Sequence, residues 1–255
     1  MKEIFENNFD KYENPEKYDE MYGNYHEDLL YMMEYANGME QRVIELACGT
    51  GRLTIPMAKS GINMVGIDLH DGMLSRAKQK AAEEHVKIVF EQQDCTQLEL
   101  PYKSPLIFMT GNSFQHFLTN ESQDSLFQSV KKHLLPNGQF IFDTRNPILA
   151  ELSMDEEYEE SYINKDKQIV KEKHYEKYNH ENQILYCVTH TDILENKQLI
   201  HTKRDSISLR YVFPMELQRL LDILGFELLH LYGSWKKDDF TKDSISMVVH
   251  CRLKQ

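Results

Sequence analysis

The sequence predicts a doubly wound α/β fold, a mostly parallel sheet of seven strands, with an antiparallel β lid inserted near its end. Three observations predict it. From Arg42 onward, short apolar runs alternate with amphipathic helical stretches, the pattern of parallel strands joined by crossover helices. Between about Ala150 and Tyr211 this rhythm gives way to alternating apolar and polar residues separated by polar turns. From Pro214 the helix-and-strand rhythm returns.

Before Arg42, residues 1–40 read as a helical cap. Tyr18, Tyr22 and Tyr25 share helical spacing with Leu29, Leu30, Met32 and Met33 along one stretch. The parallel strands are expected at Val43–Ala47, Asn63–Ile67, Val86–Phe90, Pro105–Met109 and Gly138–Asp143. Helices are expected near Leu53–Lys59, Gly72–Glu84 and Ser122–Leu134, the last capped by Asn120 and stopped by Pro136-Asn137-Gly138. Right-handed crossovers join these pieces into one sheet.

In the insertion, the acidic run Asp155–Glu160 reads as a solvated surface loop. Gln168–Tyr175, Gln183–His190 and Gln198–Arg204 read as antiparallel strands, with turns at Asn179–Asn182 and Glu195–Lys197. Helix Pro214–Leu224 has proline at its start and Gly225 at its end, and Phe226–Tyr232 and Ser244–Leu253 complete the sheet. The domain expectation is therefore residues 1–149 with 212–255, interrupted by a lid at 150–211.

A chain of 255 residues that is 41% hydrophobic and 11% aromatic can bury a full core without disulfides or metals. Its formal charge of −12 argues against a sequence-blind grip on nucleic acid, which needs a positive face. Cys48, Cys95, Cys187 and Cys251 are scattered, with no C-x-x-C pair, and read as reduced cytosolic thiols. The start, Met1–Asp10, is polar and acidic, unlike a secretory signal. No apolar run reaches the roughly 18–20 residues of a membrane helix. A cytoplasmic protein with no membrane partner is expected, as monomer or homodimer.

The turn after the first strand, in Val43-Ile-Glu-Leu-Ala-Cys-Gly-Thr-Gly51, carries the main chemical signal. Gly49 and Gly51 let the backbone approach a ligand, and the helix that follows offers free N–H groups at the positive end of its dipole. A dinucleotide site would have G-x-G-x-x-G and seat a pyrophosphate there, but Thr54 occupies the third glycine position. S-adenosylmethionine carries no phosphate, and its ammonium suits the acid Glu45, which would repel a pyrophosphate. Asp68 follows at the end of the second strand, about twenty residues on, and can accept both ribose hydroxyls. This acid alone serves either ligand. After the third strand Asp94 can accept an adenine amine while the Cys95 N–H donates to a ring nitrogen. Thr110-Gly-Asn-Ser-Phe114 follows the fourth strand, at the carboxyl end where ligands of such sheets bind.

Together Glu45-Leu-Ala-Cys-Gly-Thr-Gly51, Gly66-Ile-Asp-Leu-His-Asp-Gly-Met-Leu74, Asp94 and Leu134-Leu-Pro-Asn-Gly-Gln-Phe140 resemble the ordered motifs of class I S-adenosylmethionine-dependent methyltransferases. The resemblance runs from Tyr18 to Asp143 and resumes in the last forty or so residues. Ala47 stands where the family has its first glycine. The resemblance implies a Rossmann-like methyltransferase fold, S-adenosylmethionine as donor and S-adenosylhomocysteine as product. It implies Glu45, Ala47, Gly49 and Gly51 at the methionine end and Asp68 on the ribose. Leu69, Met73, Asp94 and Cys95 would surround the adenine, Thr110 and Asn112 would close the far side, and Tyr18 and Tyr22 would cover the donor.

On the acceptor side, His116 is the candidate general base because an imidazole titrates near neutrality. Asp143 and Arg145, where the lid departs, and Arg210 and Tyr211, where it returns, either face the acceptor or anchor the lid; Trp235 either walls the pocket or sits at an interface. No acidic cluster of Mg²⁺ type and no Cys or His spacing that suggests zinc is evident, so no metal is expected. The Asn-Pro-Pro-Tyr pattern of nucleic-acid and amide methylation is absent, Asn112-Ser-Phe-Gln-His116 standing in its place. The lid resembles that of small-molecule N-methyltransferases, which implies a small-molecule acceptor methylated on nitrogen or oxygen. A tRNA or protein methyltransferase, a non-catalytic donor-binding module and an NAD-dependent oxidoreductase are the competing readings.

Overall fold

The computed structural model describes residues 8–254. Residues 1–7, the start of the expected helical cap and most of the polar stretch Met1–Asp10, lie outside the described residues, as does Gln255. In chain order the helices are α1 (Pro15–Tyr22), α2 (Glu27–Ala36), α3 (Thr54–Lys59), α4 (Asp71–Glu83), α5 (Asn120–His133), α6 (Leu149–Leu152) and α7 (Pro214–Leu224). The strands are β1 (Val43–Leu46), β2 (Met64–Asp68), β3 (Val89–Gln92), β4 (Ser104–Met109), β5 (Leu134–Arg145), β6 (Glu156–Ile163), β7 (Ile169–Asn179), β8 (Ile184–Glu195), β9 (Gln198–Arg210), β10 (Phe226–Tyr232) and β11 (Ser246–Leu253).

Seven strands form one sheet in the order β10-β11-β5-β4-β1-β2-β3. β11 runs antiparallel to both its neighbours, while β1, β2, β3, β4 and β5 pair in parallel. Strand order reverses between β1 and β4, which opens a crevice at their carboxyl ends. The sheet is covered on both faces, so its strands read as apolar runs rather than strict alternation. Along β1, Val43 faces a layer with Tyr31, Met32, Leu53 and Met57, while Ile44 and Leu46 face Phe127, Val130, Leu217 and Leu221. No described helix is long and apolar enough to cross a membrane.

The N-terminal cap is two helices with a break between them, since α1 ends at Gly23 and a fresh helix starts after His26. Several sequence expectations are corrected here. β3 begins at Val89, not Val86: Val86 N–H closes the end of α4 onto Ala81 O at 3.0 Å, and pairing with β2 starts at Val65 opposite Val89. Thr119, not Asn120, caps α5; its side chain accepts from Ser122 N–H while Ser122 Oγ accepts from Thr119 N–H, each at 3.1 Å. Pro136-Asn137-Gly138 is not a stop but an irregularity inside β5, where pairing with β4 slips from Leu134 opposite Ser104 to Gln139 opposite Leu106.

A second sheet, β6-β7-β8-β9, is antiparallel throughout and forms the lid. The acidic run expected as a loop is mostly strand β6. Two of its charges are matched across the ladder, Lys173 of β7 reaching Glu157 at 2.6 Å and Glu159 at 3.6 Å, and the Tyr158 ring stacks on His174. A charge-dense edge strand also deters pairing with other sheets. The other lid strands run longer than expected, because polar residues on an exposed face do not end a ladder.

Candidate functional site

The carboxyl ends of the central strands surround a cleft of about 820 Å³, solvent mouth included. Each strand delivers residues to it through the loop that follows. Ala47 and Gly49 come from the turn after β1, Asp68 and Leu69 from the end of β2, Asp94 and Cys95 from beyond β3, and Gly111 and Ser113 from beyond β4. Met73 of α4 and Tyr18 of α1 wall one side. Asn8, Phe9 and Tyr12, from the short 3₁₀ strap before α1, close over it with His70, His116 and Phe117.

The β1 turn is built for close approach. Ala47, Gly49 and Gly51 all have left-handed backbone, with φ of 52°, 54° and 77°. A Cβ on Gly49 would sit 3.4 Å from Met73 Cε, in the ligand's space. Ala47 holds the same conformation with a methyl group, at a cost of about 1–2 kcal/mol, strain of the kind that clusters where ligands bind.

Asp68 organises this turn. Its Oδ2 accepts the Gly49 N–H at 2.7 Å and its Oδ1 the His70 N–H at 2.8 Å. Burial raises its pKa, and these two donors oppose the rise. Asp94 caps the next turn, its Oδ1 accepting Thr96 N–H at 2.8 Å and Thr96 Oγ–H at 2.7 Å. Across the cleft mouth, Asp19 of α1 accepts from Thr50 Oγ at 2.6 Å, Arg76 Nε at 3.0 Å and Lys80 Nζ at 2.7 Å, which holds Tyr18 in place.

Not every expected residue reaches the cleft. Gly51, Tyr22, Thr110 and Asn112 lie behind or beside the lining. Gly51 serves packing, since a Cβ there would meet Ile55 at 3.0 Å. Tyr22 packs against the Tyr18 ring with centroids 4.8 Å apart. Glu45 is also outside the lining. Strand alternation turns it toward α3, where it is buried and accepts a short hydrogen bond from Thr54 Oγ. Burial pushes its pKa up to about 8 against the pull of Thr54 and Arg52. Beside it Arg52 and the buried Asp28 form a forked ion pair, and Arg52 also donates to Tyr25 O at 2.8 Å.

His116 is enclosed. The Asn8 amide is oriented by the Ser208 backbone, donating to its carbonyl at 2.9 Å and accepting its N–H at 2.8 Å. The second Asn8 Nδ2 proton therefore points at His116 Nδ1, 3.0 Å away. This assigns the ring proton to Nε2, which donates to Tyr12 Oη at 2.9 Å. Burial, with Lys11 nearby, lowers the pKa to about 4. In this arrangement His116 has no free lone pair for an acceptor proton, a correction to its expected role as a direct base.

The residues at the lid's roots are anchors. Arg210 donates to Leu118 O at 3.2 Å, Asn120 Oδ1 at 3.1 Å, Glu216 Oε1 at 3.1 Å and Tyr211 O at 3.3 Å, which uses all three guanidinium nitrogens. Tyr211 packs with Leu152 and Tyr178 under the lid. Arg145 is half-exposed, 3.9 Å from Glu151. Asp143 is buried, its Oδ1 accepting Asn112 N–H at 2.9 Å and its Oδ2 the Trp235 Nε1–H at 3.3 Å. Trp235 belongs to the core beside Tyr31. Replacing Arg210 with alanine is expected to lower stability by about 2–4 kcal/mol, because Glu216 and three further acceptors, Leu118 O, Asn120 Oδ1 and Tyr211 O, lose a buried partner. A urea midpoint within error of the parent would refute this.

The chain resembles known proteins in the same region. Residues 43–138 match the methyltransferase domain family. YqeM of Bacillus subtilis, named for methyl transfer, is 33% identical over 106 residues, 41% of this chain and 42% of that one. An S-adenosylmethionine-dependent methyltransferase from Clostridium acetobutylicum superposes with a TM-score of 0.78 at 19% identity, over 91% of this chain and 93% of that one. Residues 43–138 are a methyltransferase domain, and the chain shares the fold of S-adenosylmethionine-dependent methyltransferases. An amino pentose methyltransferase from Micromonospora echinaspora, solved with S-adenosylmethionine bound, shares the fold at a TM-score of 0.67 and 13% identity, covering 88% of each chain. The matched segments span about half the length of the curated relatives.

The methyltransferase cleft suits this donor chemically. It presents two carboxylates, an apolar wall of Leu69, Met73 and Phe9, and no Lys or Arg among its described lining to meet a pyrophosphate. Sequence reasoning missed Asn8, Phe9, Tyr12 and His70. The signal for the strap was two aromatics three residues apart, Phe9 and Tyr12, ahead of a proline-started helix.

Proposed function

We propose that this chain transfers the methyl group of S-adenosylmethionine to a nitrogen or oxygen of a small molecule, leaving S-adenosylhomocysteine. The observation that carries this reading is the cleft with Asp68 and Asp94 at successive strand ends and no cation in its lining. Asp68 would hold the ribose diol, Asp94 and the Cys95 N–H would read the adenine, and Leu69 and Met73 would flank its ring. Ala47, Gly49 and Gly111 would lie along the methionine side. When bound, the donor supplies a methyl group already activated on a sulfonium, so the protein's work is alignment and exclusion of water.

Tyr12 and His116 stand at the acceptor side of the cleft. His116 is a positioning residue: its Nε2–H holds Tyr12 Oη and leaves the phenol proton free to turn toward a substrate. The inserted lid and the amino pentose methyltransferase of the same fold favour an amine or hydroxyl on a small polar molecule. The formal charge of −12 disfavours tRNA.

Calorimetry with S-adenosylmethionine and with NAD tests the donor, and tight binding of NAD alone would overturn the reading. A screen of amines, phenols and carboxylates for S-adenosylhomocysteine release then tests turnover; donor binding with no product from any class would favour a non-catalytic module. With an acceptor in hand, His116→Gln and Tyr12→Phe are expected to lower kcat to similar extents, about tenfold each, with no limb near pH 6.5 in the parent profile because His116 titrates at about 4. A limb near pH 6.5 that vanishes only in His116→Gln would restore the direct-base role.

A further inference from the structure

The lid carries a second group of chemically capable side chains, outside the lining of the cleft. Glu160 of β6 lies directly opposite Glu172 of β7, and His174 follows Glu172 by two residues, on the same face of the strand. One donor atom from each of the three lies within 4.8 Å of the others. None of them lines the cleft.

Two features distinguish this group from an ordinary acidic surface. Like charges placed directly opposite across two strands repel; Glu159 is opposed by Lys173, whereas Glu156–Glu176 and Glu160–Glu172 each set two carboxylates face to face. Of these two pairs, Glu160–Glu172 is the one whose oxygens gather within 4.8 Å of an imidazole nitrogen. The nearest cation with a resolved ion pair, Lys17 of α1, is 3.7 Å from Glu172 Oε1, long for a charge-assisted hydrogen bond. Second, the imidazole is arranged as a ligand. His174 Nδ1 sits 3.1 Å from Thr189 Oγ, which can accept its proton, while Nε2 is solvent-excluded, has no hydrogen-bond partner and lies 3.9 Å from Glu172 Oε2. Tyr158 stacked on the ring fixes its plane, with centroids 4.6 Å apart. Tyr162 Oη at 3.3 Å and Thr191 Oγ at 3.4 Å both donate to Glu172 Oε1, so Oε2 is the oxygen turned to the imidazole. A ligand nitrogen oriented through its other ring atom, and a carboxylate oriented through its other oxygen, are the supports that metal ligands have.

We propose that Glu160, Glu172 and His174 bind a divalent transition-metal ion, with Zn²⁺ the favoured ion, bracing edge strand β6 against β7. Two carboxylates cancel the charge of one divalent ion, and one imidazole with two carboxylates suits zinc or manganese rather than calcium or magnesium. Glu160 is exposed, so the remaining coordination position faces water. Binding uses the carboxylate that Lys17 approaches, and so loosens the tie between the lid and α1.

The test is a titration of EDTA-treated, full-length protein with zinc chloride by calorimetry, in buffer without acceptor or donor. The expected result is one ion bound per chain at micromolar zinc, a rise in Tm, and no heat from magnesium chloride at the same concentration. Glu172→Gln and His174→Gln should each weaken zinc binding at least tenfold. Glu160→Gln lies on the exposed edge and keeps the fold testable if the others destabilise the lid; it should weaken binding to a similar degree. Absence of zinc binding to the parent, or binding that is unchanged in Glu160→Gln and in His174→Gln, overturns the proposal, the second result placing the ion on other residues such as the cysteines.

Discussion

Asp68→Ala is expected to weaken S-adenosylmethionine binding by about 100-fold or more, the largest effect of any single change in the cleft. Two charge-assisted hydrogen bonds to a ribose diol contribute about 1.5–3 kcal/mol each. The loss extends to the protein, since Gly49 N–H and His70 N–H would lose their acceptor. Each such orphan costs about 1–3 kcal/mol, so the apo variant should also melt lower. Asp68→Asn separates the two effects: one amide oxygen can still serve a backbone N–H, while the diol loses a charged partner. Calorimetric affinity that stays within threefold of the parent in Asp68→Ala would refute the ribose assignment.

Above about pH 6.5 the ligand-free protein should lose stability as pH rises, contrary to the usual behaviour of carboxylates; below that, His116 and His250, both lowered to about 4 by burial, oppose the trend. Glu45 titrates at about 8 and Asp143 at about 7, both because burial penalises their charged forms. Each is raised above its unfolded value, so the folded state keeps the proton that the unfolded chain releases. The stability from that retained proton is complete below about pH 4 and declines as pH rises through the folded values. Each tenfold step in proton concentration between the two values is worth about 1.4 kcal/mol, so Glu45 accounts for roughly 3–5 kcal/mol between pH 4.5 and 8. Between pH 6.5 and 8, where the histidines no longer compensate, Glu45 and Asp143 together account for roughly 2–3 kcal/mol, a fall in Tm of roughly 5–10 °C for a chain of this size. Glu45→Gln replaces the neutral acid by a neutral amide that can still meet Thr54, and should flatten the profile. A Tm for the parent that is constant or rising from pH 6.5 to pH 8, measured by scanning calorimetry, would contradict this.

Much of the architecture was legible in the sequence, because periodicity reports burial. The runs Val43–Ala47, apolar apart from Glu45, and Pro105–Met109 read as central strands, while the mixed pattern after Ala150 marked a half-exposed sheet. β6 was misread because Glu156 to Glu160 reads by composition as a solvated loop; the lysines that neutralise it lie on the partner strand, ten or more residues away. The donor side of the site was also legible, since Gly49, Asp68 and Asp94 stand at strand ends whatever the tertiary detail. The orientation of Glu45 was not. Counting along β1 gives its face only relative to its neighbours, and which face meets α3 is decided by packing. The buried partners of His116 were likewise out of reach, since Asn8 and Tyr12 lie more than a hundred residues from it in the chain.

The Asn8 amide, fastened to the Ser208 backbone on one side and His116 on the other, makes the strap a latch with a definite release energy. Three hydrogen bonds from Asn8 and one from Tyr12 must break before Phe9 and Tyr12 swing clear of the cleft. At about 0.5–1.5 kcal/mol each, the open form would be a minor population of the resting protein, below roughly one molecule in a few dozen. Ligand residence time is then set by how often this latch lifts. An Asn8→Ala chain would exchange its bound nucleoside faster, with Asp68, Asp94 and Met73 still lining the cleft.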